Sequence, residues 1–145
     1  MAIGANVVTA GTAQAAVSGS YTAASACGNN YYVQAYANMK TLNGTALGRV
    51  FLLYNGSQNC AVLVNLTGSA KYMAVDIAPV VDNGWIYGAW ADSGTFSSYA
   101  GPARITVGAS QPVAVRALMI YNGTYYNWAS GATTGSAGYA GWIRP

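Results

Sequence analysis

Apolar residues in this chain fall in runs of five to eight, rich in Val, Tyr, Ile and Leu and punctuated by Gly, Asn, Ser and Pro. No stretch carries the i, i+3, i+4 spacing of a long amphipathic helix; the pattern is that of short strands. Candidate strands are 31–37, 49–54, 59–66, 71–78, 85–90, 95–99, 103–107, 113–121, 125–128 and 138–143. Short strands at near-regular spacing predict an all-β, single-domain antiparallel β-sandwich of about 8–10 strands, with a closed β-barrel as the alternative. Two runs, Val50-Phe51-Leu52-Leu53 and Ala61-Val62-Leu63-Val64, are apolar at every position. Side chains alternate between the faces of a sheet, so these strands are expected to be central and covered on both sides.

Four Asn-Gly dipeptides, beginning at Asn43, Asn55, Asn83 and Asn122, separate candidate strands. Both residues accept the positive φ that a type I′ hairpin requires, so each marks a turn. The clearest hairpin runs from 49–54 through 55–58 into 59–66. Asn43, Asn55, Asn65 and Asn122 also head Asn-x-Ser/Thr sequons, which in so Asn- and Thr-rich a chain read first as turns. Asp92-Ser93-Gly94 reads as a compact turn in which the carboxylate accepts backbone N–H groups. Asp76, between Val75 and Ile77 in a strand, is expected to face solvent or to pair with a cation such as Lys71 or Arg104.

Composition narrows the chemistry. Of 145 residues only nine are charged, six Lys+Arg and three Asp, with no Glu and no His. Ordinary soluble domains carry roughly 25% charged residues; here the share is 6%. Without His or Glu the chain cannot build an imidazole zinc site, a Ser-His-Asp or Cys-His nucleophile, or a Glu-based glycosidase pair. We therefore expect no catalytic residues, no metal and no cofactor. The cations are spread singly, whereas nucleic-acid binders cluster them against neighbouring phosphates, so nucleic acid is not an expected partner. No uncharged apolar run reaches the roughly 18 residues of a membrane span; 112–120 is short and interrupted by Arg116. Residues 2–16 carry no charge and contain Ala13-Gln14-Ala15, a pattern like a signal-peptidase site, but lack a basic n-region. Residues 1–15 thus read as an export-signal remnant or flexible leader, and 16–145 as one all-β domain.

Cys27 and Cys60 are the two cysteines, and with no His to join them they are read as a disulfide or two buried thiols, the disulfide being favoured. The aromatics are the most suggestive feature. Trp85, Tyr87, Trp90, Tyr126 and Trp128 form a candidate platform that, flanked by Asn, Thr and Ser, suits stacking against sugar rings. The competing reading has these rings filling the core with polar tips outward, or serving self-assembly.

The order of features is also similar to a known family. Cys27-Gly28 followed by Tyr31-Tyr32-Val33, then Val50-Phe51-Leu52-Leu53-Tyr54-Asn55 running to Asn59-Cys60-Ala61-Val62, then 92–102 (DSGTFSSYAGP), resembles the spore-associated protein A family of actinomycetes over roughly residues 25–107. The resemblance implies a small exported protein found with aerial hyphae and spores, a Cys27–Cys60 disulfide, and no enzymatic activity. Family members carry a second cysteine pair in the C-terminal third, where this chain has none and reads Tyr125-Tyr126-Asn127-Trp128. The expected function is a secreted, non-enzymatic surface or structural protein, self-associating on a cell or spore wall. The alternative is a carbohydrate-binding module that holds a wall or environmental polysaccharide.

Overall fold

The computed structural model describes residues 17–79, 89–107 and 111–130. Among them, eight strands form two antiparallel sheets of four. The first sheet contains β1 (Tyr32–Lys40), β2 (Ala46–Tyr54), β3 (Gln58–Asn65) and β6 (Tyr99–Thr106), in the order β1-β2-β3-β6. The second contains β4 (Lys71–Pro79), β5 (Asp92–Phe96), β7 (Val113–Tyr121) and β8 (Thr124–Ala129), in the order β5-β4-β7-β8. The sheets do not close on each other, so the molecule is an all-β sandwich and not the alternative barrel.

Asn-Gly dipeptides sit at the described hairpin turns as expected, but only at Asn122-Gly123 do both residues take positive φ; at Asn43-Gly44 and Asn55-Gly56 the glycine alone does. Asn122 and Gly123 take φ of 49° and 76°, the type I′ signature, between β7 and β8. Between β2 and β3 the Asn55 side chain accepts the Ser57 and Gln58 backbone N–H groups while Gly56 takes φ of 101°. Asn83-Gly84, most of the expected strand 85–90, the strand 138–143 and the leader 1–15 lie outside the described residues.

Two expectations around β5 need correction. The stretch 95–99 is not one strand: the chain leaves the second sheet after Phe96 and enters the first at Tyr99. Asn65 holds this crossing, its side-chain Nδ2 donating to the Phe96 carbonyl and its backbone N–H to the Ser98 carbonyl. Nor is 92–94 a turn: these residues open β5, and Asp92 reaches across the sandwich so that Oδ2 accepts the Gly101 backbone N–H of β6 at 2.8 Å.

The continuously apolar runs are buried on two sides, as alternation requires. Val50, Leu52, Ala61 and Leu63 point between the sheets, against Met73, Val75, Val113, Val115 and Met119. Phe51, Leu53, Cys60, Val62 and Val64 point the other way, under a short helix, α1 (Ser20–Cys27), through Ala23 and Cys27. Full burial of each such Val, Leu or Phe stabilises by roughly 1.5–3 kcal/mol, so both faces contribute to stability. A third layer thus covers the first sheet. A Cys27–Cys60 disulfide ties it down. Among the described residues, no helix is long and apolar enough to cross a membrane.

Candidate functional site

The charged side chains come first, because so few exist. Arg104 of β6 donates to the Cys27 carbonyl at 2.8 Å, placing a cation at the C-terminal end of α1, where unpaired carbonyls and the helix dipole favour it. Arg49 of β2 donates to the Ser18 carbonyl and to Asn38 Oδ1, with its guanidinium beside the Tyr36 ring. Burial pulls the Arg49 pKa down and the neighbouring Tyr36 opposes the shift. Both arginines clamp α1 and its approach to the first sheet.

Arg116 has a different task. It donates through Nε and Nη2 to Asp76 Oδ2 at 3.2 and 3.0 Å, while Asp76 Oδ1 accepts the Ile77 backbone N–H. Both side chains are largely buried on the outer face of the second sheet. Asp76 thus pairs with a cation, as one of the two expectations had it, but the cation is Arg116 and neither Lys71 nor Arg104, and the side chain does not face solvent. The register of β4 against β7 sets Asp76 directly opposite Arg116. Lys71 bonds Ser69 instead and lies beside the Tyr121 ring, and Arg104 is in the other sheet.

The aromatic platform read from the sequence is divided by the second sheet. Trp85 and Tyr87 lie outside the described residues. Tyr126 and Trp128 face inward, opposite Met119 and Ala117, and pack half-buried on the core. Trp90 lies on the outer side, its ring 4.0 Å from the Arg116 guanidinium, a cation–π stack over the ion pair. Alternation along β8 is the reason: a residue paired with Met119 or Ala117 must share their inward face. Trp90, Tyr126 and Trp128 therefore share no plane.

Another pair of rings occupies the outer face. Tyr72 is 39% exposed and Tyr125 64% exposed. Tyr125 pairs with Ile120, and Tyr72 stands one position before the Met73–Met119 pair, beside that same Ile120. Thr95 of β5 pairs with Tyr72 on the other side. The row Thr95–Tyr72–Ile120–Tyr125 thus crosses the sheet, with buried Ala74 and Leu118 in the next row. Counting back by two from Asp76 along 71–78 places Tyr72 on this face, a signal present in the sequence.

At the β5 end the row meets a cleft of about 430 Å³ lined by Asp92, Thr95, Phe96, Ser97, Ser98, Tyr99 and Gly101. It opens at the corner where the chain changes sheets, and Gly101 belongs there: a Cβ would come within 2.9 Å of the Ala61 carbonyl oxygen. No family model, no curated protein and no solved structure matches the chain. The chemistry of the row and cleft therefore comes from their own side chains: aromatic surface for stacking, hydroxyls that both donate and accept, and one carboxylate. That set supports non-covalent recognition.

Proposed function

We propose that this is an exported, non-enzymatic surface protein that acts by contact and self-associates through the free edge of its first sheet. The observation that carries this reading is β1. It is a nine-residue edge strand, uncharged until Lys40, with no proline, and among the described residues nothing pairs with its outer edge. Edge strands of this kind are templates for a further strand unless charge, proline or distortion blocks them. Register shifts interrupt β1 only near its ends, between Val33 and Ala35 and between Met39 and Lys40, leaving a regular middle. By contrast β6, the opposite edge, carries Pro102 and Arg104. Export is supported by the disulfide, which is characteristic of oxidising compartments, and by the resemblance to spore-associated proteins, which also suggests a cell or spore wall as the setting.

Sedimentation velocity over a concentration series tests the association. The wild-type protein is expected to shift from monomer to larger species as concentration rises. Tyr32→Lys, which puts a charge on the half-exposed end of the edge, is expected to stay monomeric. A wild-type protein that remains a monodisperse monomer at the highest concentration would sink the self-association reading.

A further inference from the structure

We infer that the Thr95–Tyr72–Ile120–Tyr125 row and the adjoining corner cleft form one strip that binds a neutral polysaccharide chain. The inference rests on the reading that the protein acts by contact, but not on self-association, which uses the other sheet.

Three observations converge on that ligand. First, Tyr72 and Tyr125 keep ring surface in solvent while Ala74 and Leu118 beside them are buried. They stand on strands two apart, with β7 between, so their backbones are about 10 Å from each other. Rings at that separation can meet the C–H faces of alternate units of an extended sugar chain. Second, the cleft is lined by the hydroxyl-bearing residues Thr95, Ser97, Ser98 and Tyr99 together with Asp92 and Phe96. Sugar hydroxyls both donate and accept, and a mixed set of hydroxyls with an acceptor-only carboxylate matches them. Third, charge selects against the alternatives. The single formal charge lining the cleft is the carboxylate of Asp92, and no cation is among its described lining residues. A polyanion such as nucleic acid or an acidic wall polymer would find no cation lining the cleft, and a simple cation would find too few carboxylates. The strip runs from β5 to β8, a distance of about 15 Å, so the ligand is an extended chain rather than one sugar.

The test is retention of the full-length protein on microcrystalline cellulose and on chitin, followed by titration with cellohexaose and chitohexaose. Binding to at least one glycan is expected to persist in molar salt, because no ion pair carries it. Tyr72→Ala and Tyr125→Ala are each expected to weaken it about tenfold, the scale of one lost stacking contact. Ser98→Ala is expected to weaken it as well. Tyr21→Ala removes an exposed ring on α1, at the other face of the molecule, and is expected to leave binding unchanged. Absence of wild-type binding to both glycans overturns the proposal, as does loss of binding in salt or an equal effect from Tyr21→Ala. Sedimentation of the same samples separates the two readings. Protein that self-associates without binding glycan overturns the strip alone, and protein that does neither overturns action by contact as well.

Discussion

Gly101 and Gly123 both adopt positive φ, at 111° and 76°, but only Gly101 is crowded. A Cβ on Gly123 would meet nothing within 4 Å, whereas one on Gly101 would press on the Ala61 carbonyl oxygen beside the cleft. Gly123→Ala is therefore expected to cost about 1–2 kcal/mol, the backbone strain alone. Gly101→Ala adds overpacking against a strand and is expected to cost roughly 3 kcal/mol or more. Urea denaturation midpoints would order the two. Asp76 poses a different question at the same scale. Asp76→Ala leaves the Arg116 guanidinium without its carboxylate in a largely buried position and is expected to cost about 3 kcal/mol. Asp76→Leu combined with Arg116→Met should recover part of that loss, because neither charge is then stranded. The partner of Asp76 was not legible in the sequence. It depends on the register between strands forty residues apart, which no local pattern encodes.

Among the elements, α1 depends most on its surroundings. Eight residues are too few for a helix to persist alone, and α1 has no side-chain N-cap and no basic residue of its own in the last turn. The Cys27–Cys60 bond, Arg104 at its C-terminal end and Arg49 at its approach hold it in place. Replacing both cysteines by Ala is expected to destabilise the fold by about 3–4 kcal/mol, from the loop-closure entropy of the 33-residue separation. Hydrogen exchange of that variant should rise first in α1, with the amides of β2 and β3 still protected. The need for a cover was legible: Val50-Phe51-Leu52-Leu53 has no polar face and must be buried twice. What covers it was not, because the helix buries only Ala23 and Cys27 fully, with Ala24 and Ala26 partly buried beside them, small side chains that do not stand out as an apolar stripe. The joint at Ser97-Ser98 escaped for a related reason. Residues 92–99 carry no strong apolar period to mark where one strand stops and the next begins, and the crossing is held by Asn65, 31 residues before Phe96.

For the whole molecule, the scarcity of charge shapes the energetics. Among the described residues one salt bridge is present, and it is largely shielded from solvent. Screening acts mainly on exposed pairs. Thermal stability is accordingly expected to change little between low and physiological salt. A scanning calorimetry series would check this, and a strong dependence would point to exposed ion pairs carrying stability. At this scale the sequence was most informative: two-sheet β architecture and the hairpin turns follow from spacing and Asn-Gly chemistry. The aromatic surface was harder to read, because Trp and Tyr residues look alike in a sequence whichever face they occupy. Tyr72 and Tyr125 are outward, while Tyr126 and Trp128, one and three positions beyond Tyr125, are inward.

The docking of α1 gives the two outer faces different fates. The first sheet is shut by a helix bonded to it, and the exposed rings of the second sheet look in the opposite direction. The β1 edge points along neither direction but sideways, in the plane of the sheets. Two molecules joined along their β1 edges would therefore keep both sets of rings on one side and both helical backs on the other. Attachment and pairing would then run at right angles, and the pair would have a fixed inside and outside, one molecule deep.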